Sequence, residues 1–360
     1  MMTRSVMIVA GGTGGHVYPG LAVAAALRAR NVELHWMGTA RGIEARLVPL
    51  AGVPLVTIPV SGLRRRGWWR WLAAPFGVAY AVCCALAAMR RIQPQVVLGM
   101  GGFVSGPGGI AAWLTRRPLI IHEQNAVPGL SNRILSHFAR RVLEGFPGSF
   151  KAGVRAITTG NPVRADIANI VAPAERTRTA GGLNVLVFGG SRGARALNDL
   201  VPAALAASGV AGIVVRHQCG ADDVASTQAR YGNAANIVDA TALAYIDDMT
   251  SAYAWADLVI ARAGASSIAE IAACGVASIL IPFPYAVDDH QTANAQYLAA
   301  DTAALLRPEA NLSVAGLARD IAGLLGDPAL RLQMAERARA RARPHATADV
   351  AAQCLEFTDA

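Results

Sequence analysis

The segment Val6-Met7-Ile8-Val9-Ala10-Gly11-Gly12-Thr13-Gly14-Gly15-His16 places four glycines and one threonine directly after an apolar run. A helical pattern follows and begins near Pro19. The segment therefore predicts a buried parallel strand, a tight turn and the N-terminus of a helix. Glycines permit positive φ and let a ligand approach main-chain N–H groups, and a helix N-terminus attracts anions. This turn predicts a binding site for a diphosphate.

A second segment repeats the pattern about half a chain later: Asn184-Val185-Leu186-Val187-Phe188-Gly189-Gly190-Ser191-Arg192-Gly193-Ala194. One glycine-rich turn is common in any α/β protein and has a purely structural interpretation. Two copies, the second with serine and arginine inside the turn, favour anion binding. The repeat also predicts two α/β domains facing a deep cleft.

Other phosphate-binding motifs do not fit this chain. Gly12-x-Gly14 continues with His16 and Val17, where the dinucleotide fingerprint needs a third small residue. Lys151 is the only lysine, which excludes a P-loop and argues against a lysine Schiff base. The acidic pairs are adjacent and never form Asp-x-Asp, the cation-holding pair of metal-dependent sugar-nucleotide transferases of the other common fold. We therefore expect neither a metal nor a cofactor.

Length and composition fit two domains. The chain has 360 residues, of which 53% are hydrophobic, and predicted strands alternate with helices along both halves. This pattern predicts doubly wound parallel sheets. The net charge of +9 favours anionic partners, although no nucleic-acid-binding module is recognisable. The five cysteines lack zinc-site spacing, and the short first apolar run is no signal peptide, so we expect a cytoplasmic protein.

The Gly160-Asn161-Pro162 cluster predicts a domain boundary. We expect an N-terminal domain over residues 1–162 and a C-terminal domain over residues 163–342. A last helix, at about residues 343–360, is expected to pack back on the N-terminal domain.

An arginine- and tryptophan-rich segment, Arg64-Arg65-Arg66-Gly67-Trp68-Trp69-Arg70-Trp71, precedes 18 uncharged residues, 72–89. Three interpretations are open: a membrane-spanning helix, a core helix behind a solvated arginine run, or a helix lying on a membrane surface. Arginines bind lipid phosphates and tryptophans prefer the headgroup region, so we favour peripheral attachment to an anionic membrane through Arg64–Trp71.

Several further motifs share one family resemblance. Together with the first glycine-rich turn they resemble the MurG family of bacterial transferases over residues from about 5 to 345; they are Val104-Ser105-Gly106-Pro107-Gly108-Gly109, His122-Glu123-Gln124-Asn125, Gly160-Asn161-Pro162-Val163-Arg164, Gly189-Gly190-Ser191 and Ile246-Asp247-Asp248-Met249.

The resemblance implies a GT-B fold and an inverting, metal-independent transfer of N-acetylglucosamine (GlcNAc). The donor would be UDP-GlcNAc. The acceptor would be the MurNAc 4-hydroxyl of undecaprenyl-pyrophosphoryl-MurNAc-pentapeptide (lipid I), and the product lipid II would serve peptidoglycan synthesis. The enzyme would act at the cytoplasmic face of the bacterial inner membrane. Its N-terminal domain would face acceptor and membrane, and its C-terminal domain would bind UDP-GlcNAc.

The resemblance also implies roles for individual residues. Donor contacts are expected from Thr13, Gly14, Gly15 and Asn125. Arg164 and Ser191 would hold the diphosphate, and Ile246 would offer backbone groups to uracil. The nucleotide would be lined by Ala265, Ser266, Ser267, Ile268, Ala269 and Glu270, with Glu270 on the ribose hydroxyls, and GlcNAc would meet Gln291. Two positions depart from the family, because Arg192 replaces a commonly uncharged residue and His290 stands where some members have glutamine.

His16 is the best candidate for the base that deprotonates the acceptor hydroxyl, since histidine changes charge near neutral pH and this one follows the glycine-rich turn. The alternative is that His16 only orients the turn. His122 is more readily interpreted as a packed, hydrogen-bonded residue, and Glu123 is a weaker rival base.

Three other functions compete with the transferase. A sugar-nucleotide epimerase of the same fold would need no lipid acceptor. A nicotinamide oxidoreductase is disfavoured by the broken fingerprint. A non-catalytic scaffold on the membrane surface would bind vesicles without affinity for UDP-GlcNAc.

Overall fold

The computed structural model describes residues 4–60, 68–176, 182–190, 193–232 and 234–358, without the side chains of residues 68–74 and 287. The chain divides into two compact units. The first ends at Arg164 and is completed by residues from His345 onward, and the second is Ala165–Pro344. The sequence interpretation placed the two boundaries after residues 162 and 342.

The first unit is built on seven parallel strands in the order β3-β2-β1-β4-β5-β6-β7. Its strands are β1 (Ser5–Ala10), β2 (Glu33–Gly38), β3 (Leu55–Thr57), β4 (Val96–Gly101), β5 (Leu119–Glu123), β6 (Arg141–Glu144) and β7 (Ala156–Thr158). Its first five helices are α1 (Gly14–Arg28), α2 (Glu44–Leu50), α3 (Trp68–Ile92), α4 (Ser105–Leu114) and α5 (Leu130–Leu135). Strand order reverses direction between β1 and β4, where open α/β sheets bind ligands.

Helices cover both faces of this sheet. Along β1, Val6 and Ile8 join one buried cluster, and Met7 and Val9 join the cluster on the other face. A strand that is buried on both faces reads as a continuous apolar run, which explains why β1 was predictable from its sequence.

Two boundaries differ from the sequence prediction. The first helix begins at Gly14, five residues before Pro19, because the extended backbone of Thr13 forms its N-cap and Pro19 is accommodated within the helix. His16 therefore lies in the first turn of α1. The second difference concerns residues 99–109, for which the glycine pattern predicts a loop: β4 runs to Gly101 and α4 begins at Ser105, so only residues 102–104 lie between strand and helix.

The second unit holds six parallel strands in the order β10-β9-β8-β11-β12-β13. The strands are β8 (Leu183–Phe188), β9 (Ile213–Gln218), β10 (Ile237–Leu243), β11 (Leu258–Ala261), β12 (Ala277–Leu280) and β13 (Leu305–Leu306). The helices are α6 (Ala165–Ala168), α7 (Arg195–Ala207), α8 (Val224–Tyr231), α9 (Met249–Trp255), α10 (Ala265–Cys274), α11 (His290–Ala299), α12 (Val314–Gly326) and α13 (Pro328–Ala340). The doubly wound parallel sheets predicted for both halves are confirmed.

The last helix, α14 (Ala346–Leu355), belongs to the first unit. It packs against α1, and Val350, Ala351 and Cys354 are part of the same buried cluster as Val6.

Helix α3 begins at Trp68, within the segment for which a membrane role was predicted. Of Arg64–Trp71, residues 64–67 lie outside the described residues, as do the side chains of 68–71. Residues 75–92 are long and apolar enough to cross a membrane by length and composition, a test that core helices of soluble proteins also pass. The later part packs in the core through Ala85 and Met89, whereas Phe76 and Tyr80 are 79% and 64% exposed. Helix α3 is therefore a core helix along part of its length only.

Candidate active site

In the first unit, the predicted functional residues lie at the carboxyl ends of β1, β4 and β5, which are neighbours in the sheet. The turn after β1 has Gly12 at φ +97°, a backbone conformation that favours glycine. Gly14 and Gly15 then form the first turn of α1, with Thr13 exposed before them. The positive end of the α1 dipole is therefore presented at this turn.

A buried carboxylate, which the sequence analysis missed, holds this turn in place. Glu44 accepts the N–H of Gly12 at 3.0 Å through Oε2. Its Oε1 accepts the N–H and the hydroxyl of Thr39, at 2.9 and 2.6 Å. Gly12 and Thr39 follow the carboxyl ends of two adjacent strands, β1 and β2. Glu44 therefore ties the glycine-rich turn to the next strand. Nothing in the local sequence distinguishes it from an ordinary acidic residue at a helix start.

The glycine turn after β4, which contains Gly102, lies directly against the turn after β1. Gly102 has φ +82°, and a Cβ at this position would overlap the backbone oxygen of Gly11. Ser105 is fully buried below the turn, where its Oγ accepts the N–H of Gly101 at 2.9 Å and lies 3.0 Å from the oxygen of Val9. The backbones of the turn after β1 and the turn after β4 are therefore in direct contact.

His16 is half-buried at this junction. Its Nδ1 lies 2.8 Å from Oε1 of Gln124, which follows β5. A Cβ at Gly101 would stand 2.7 Å from the same ring nitrogen, so glycine at that position makes room for the imidazole. The structure therefore brings the candidate base together with both glycine turns and the end of β5.

The neighbouring side chains of His122 and Glu123 form hydrogen bonds with other groups of the protein. His122 is fully buried and donates from Nε2 to the Gly160 oxygen at 2.9 Å. Burial lowers the pKa of its imidazole to about 4, so it is neutral at pH 7. The buried Glu123 carboxylate accepts N–H groups of Asn125, Gly129 and Asn132 at 2.9 to 3.1 Å. These contacts favour the packed interpretation of His122 and give Glu123 the task of shaping the loop after β5.

Two further predicted residues lie in the first unit. Asn125 is half-buried, and its side chain donates to Glu123 Oε1 at 3.2 Å. Arg164 places its guanidinium carbon 5.7 Å from the ring centre of Tyr18 on α1, one turn beyond the glycine-rich segment. Arg164 was expected within the C-terminal domain, residues 163–342, but the structure groups it with the first unit.

In the second unit, the predicted residues follow β8, β11 and β12, again neighbours at one sheet edge. After β8, Gly190 and Gly193 both have positive φ, and a Cβ at Gly193 would overlap the Cys219 oxygen. Ser191 and Arg192 lie outside the described residues. The strand and the helix predicted here are present as β8 and α7, and residues 189, 190, 193 and 194 lie between them.

The turn after β11 leads directly into α10, with Gly264 as N-cap. Ala265 and Ile268 are buried, whereas Ser266, Ser267, Ala269 and Glu270 are half-buried. Glu270 accepts a hydrogen bond from the Tyr253 hydroxyl at 3.1 Å, and Tyr253 is itself buried against Phe188 at the end of β8. Tyr253 was not identified from the sequence, although it orients a predicted ligand-binding carboxylate.

The segment after β12 brings in the remaining predicted residues. His290 is the first residue of α11, and Gln291 accepts the Phe283 N–H at 2.9 Å through Oε1. Asn294 of the same helix donates to the Ala263 oxygen at 3.1 Å, which ties α11 to the turn after β11. Ile246 instead follows β10, the edge strand beyond β9, and is half-buried.

Acidic and histidine side chains do not converge on a cation site in the described ranges, where no group of three or more His, Cys, Asp or Glu could hold a metal ion. The groups that could stabilise a phosphate are the turn amides, the helix N-termini and arginine.

Two family models match most of the chain. The glycosyltransferase family 28 N-terminal domain matches residues 6–144, and the glycosyltransferase family 28 C-terminal domain matches residues 184–350.

Individual relatives are similar over almost the whole chain. A protein of Xanthomonas campestris pv. campestris (strain B100) is 53% identical over 97% of this chain and 81% of its own length. One of Nitrosococcus oceani is 51% identical over 99% of both. Both are named UDP-N-acetylglucosamine–N-acetylmuramyl-(pentapeptide) pyrophosphoryl-undecaprenol N-acetylglucosamine transferase. The crystal structure of Acinetobacter baumannii MurG has a TM-score of 0.83 and 40% identity, covering 98% of this chain and 99% of that one.

Proposed function

Because this chain belongs to glycosyltransferase family 28, and within it to the MurG group, we propose that it is the GlcNAc transferase of peptidoglycan synthesis. It has the GT-B fold and transfers GlcNAc from UDP-GlcNAc to undecaprenyl-pyrophosphoryl-MurNAc-pentapeptide. The observation that carries this proposal is the identity of 51 to 53% over nearly the full chain with relatives of that named activity.

We propose the following chemistry for the transfer. His16 takes the proton of the MurNAc 4-hydroxyl, whose oxygen attacks C1 of GlcNAc. The bond from C1 to the phosphate oxygen breaks, and its electron pair leaves with UDP. Attack from the side opposite UDP inverts the configuration at C1. Negative charge develops on the leaving diphosphate, where fixed N–H dipoles and arginine stabilise it without needing to reorganise.

For the first unit we propose the residue roles that the family resemblance implies. Thr13, Gly14 and Gly15 stand at the N-terminus of α1 and contact the donor, as does Asn125, whose side chain is held by Glu123. Arg164 supplies positive charge for the diphosphate, and Ser191 contributes a hydroxyl to hold it.

Residue roles on the second unit follow in the same way. The stretch Ala265–Glu270 lines the nucleotide, with Glu270 on the ribose hydroxyls, supported by its hydrogen bond from Tyr253. Ile246 offers backbone groups to uracil. Gln291 uses its carbonyl end on Phe283, which leaves its NH₂ end for GlcNAc hydroxyls beside His290.

Turnover in a chelator tests the reaction and its metal independence together. With UDP-GlcNAc and a lipid I analogue we expect UDP release at the same rate with and without EDTA, because main-chain dipoles and arginine replace a cation. UDP release is measured by a coupled assay. If UDP fails to appear while a known lipid II-forming transferase turns over in the same assay, the assignment is wrong. Conversion of UDP-GlcNAc without acceptor would identify an epimerase instead.

The enzyme is membrane-associated on the cytoplasmic side, and we place it peripherally on the inner membrane. Beyond the predicted Arg64–Trp71 segment, the support is a set of exposed apolar side chains on α3, α4 and α5, three helices that pack in series. They are Phe76, Tyr80, Trp113, Leu114, Leu130 and Ile134. Exposed aromatic and aliphatic side chains beside arginines suit the headgroup region of an anionic bilayer.

Vesicle binding tests this placement. Replacing Arg64, Arg65 and Arg66 together by alanine should weaken binding to phosphatidylglycerol-containing vesicles about a hundredfold, since each basic residue near such a surface contributes about 1 kcal/mol. Co-sedimentation measures the binding. The matched control removes three exposed arginines elsewhere, Arg30, Arg319 and Arg343, and should bind almost like the wild type. Equal loss in both variants would mean that net charge alone, and not this segment, drives attachment.

A further inference from the structure

A chain of hydrogen bonds connects His16 to the interior of the first unit. His16 Nδ1 lies 2.8 Å from Gln124 Oε1. The other end of that amide, Nε2, lies 3.0 Å from His122 Nδ1. His122 Nε2 in turn lies 2.9 Å from the Gly160 oxygen. Three side chains and one carbonyl group thus form a continuous series.

The donor and the acceptor of each hydrogen bond in the series can be assigned by starting from the Gly160 carbonyl oxygen. A carbonyl oxygen only accepts, so His122 carries its proton on Nε2. His122 is neutral because burial lowers its pKa to about 4, which leaves a lone pair on Nδ1. That lone pair accepts from the Gln124 NH₂ group, and the same NH₂ group also lies 3.3 Å from the His122 carbonyl oxygen. Two separate acceptors therefore fix the orientation of the Gln124 amide.

The orientation of the Gln124 amide determines which ring nitrogen of His16 carries the proton. Since the NH₂ end of Gln124 faces His122, its oxygen faces His16, and an oxygen of this kind only accepts. His16 must therefore present an N–H at Nδ1. A neutral imidazole with its proton on Nδ1 has its lone pair on Nε2.

The surroundings leave Gln124 little freedom. It is 1% exposed, and its backbone oxygen accepts from Asn161 Nδ2 at 2.9 Å. The His122 oxygen also accepts from Asn132 Nδ2, at 3.2 Å. Two buried carboxylates of the same unit accept other groups: Glu123 accepts from Asn132, and Glu44 accepts the N–H of Gly12.

We propose that Gln124 is a positioning residue, which fixes His16 as its Nδ1–H tautomer and so makes Nε2 the atom that accepts the proton from the acceptor hydroxyl. This inference rests on the proposed role of His16 as the base. During transfer, Nε2 gains the proton while the hydroxyl oxygen bonds to C1 and UDP departs. The proton on Nδ1 stays where it is, on the bond to Gln124 Oε1, which the resulting imidazolium strengthens. No proton moves along the series, because the amide is not a base.

Nuclear magnetic resonance of the free enzyme tests the tautomer directly. The ¹⁵N shifts of the His16 ring, assigned by comparison with His16→Ala, should report a protonated Nδ1 and an unprotonated Nε2 above the pH at which the ring is charged. A ring protonated at Nε2 would overturn the proposal. This readout needs no turnover, so it stands apart from a failure of the transferase assignment, which the UDP-release assay would reveal.

Two variants test what Gln124 contributes. Gln124→Met removes the acceptor at similar volume and should lower kcat about 10- to 100-fold while KM for UDP-GlcNAc changes less than twofold, with the His16 ring shifting toward the Nε2–H form. Gln124→Glu keeps an oxygen acceptor for Nδ1–H. It should retain the tautomer and move the acid limb of the kcat/KM profile to higher pH by about one unit, because a carboxylate favours the charged imidazole.

The control is Gln95→Met, the same substitution in a glutamine that accepts the Ser5 N–H at the opposite end of the sheet. It should leave the tautomer and the pH profile unchanged. If Gln124→Met retains both wild-type kcat and the wild-type tautomer, the positioning role is refuted. Should that variant fail to fold, Gln124→Glu decides: an unmoved acid limb also refutes the role.

Discussion

Replacing His16 by alanine is expected to lower kcat by about 10²- to 10⁴-fold, the range that a positioned general base contributes. Affinity for UDP should stay within about twofold of the wild-type value, because the turn amides and the N-terminus of α1 remain. The structure supports this split, since the His16 ring bonds to Gln124 and lies beside Gly101, whereas Glu44 holds Gly12 of the glycine-rich turn. The measurements are steady-state turnover with UDP-GlcNAc and a lipid I analogue, and calorimetric titration with UDP.

His345→Ala is the matched control for that experiment, because His345 is exposed and its side chain caps nothing at the start of α14. It should turn over like the wild type. Unchanged kcat in His16→Ala would reject His16 as the base. Loss of UDP affinity in step with kcat would instead support the alternative that His16 only orients the turn.

Gly102→Ala is expected to be the most damaging small substitution in the first unit. An alanine at φ +82° is strained by about 1 to 2 kcal/mol, and its Cβ would overlap the Gly11 oxygen, so one glycine turn must move away from the other. We expect a loss of about 3 kcal/mol or more in the free energy of unfolding. We also expect kcat/KM to fall by about a hundredfold, because displacement of the first turn moves the α1 N-terminus and His16.

Gly148→Ala isolates the clash from the strain. Gly148 has φ +77° in the same unit, and a Cβ there would meet nothing within 4 Å. Urea unfolding of both variants measures the difference, which should be about 1 to 2 kcal/mol beyond the shared strain. Equal destabilisation by the two substitutions would contradict the inference that backbone contact between the turns is required.

The order of strands and helices along the chain was predictable because each of them has a local sequence pattern. The apolar runs of β1 and β8 are largely buried, and each is followed by a glycine with positive φ, Gly12 and Gly190. Such local patterns persist whatever the rest of the chain does. One exception was the start of α1, which the sequence placed near Pro19, whereas the helix begins at Gly14 after the extended backbone of Thr13.

The sequence by itself determined two doubly wound domains and the family to which their motifs belong, since strand periodicity and glycine turns are short-range properties. Only the tertiary structure decided which side chains act on those turns. Glu44 reaches Gly12 and Gln124 reaches His16 because β2 and β5 end at the same edge of the sheet as β1, and Tyr253 of α9 reaches Glu270 of α10. These partners are 32, 108 and 17 residues apart. A hydrogen bond over such a separation depends on the order of strands in the sheet, which no local stretch of sequence specifies.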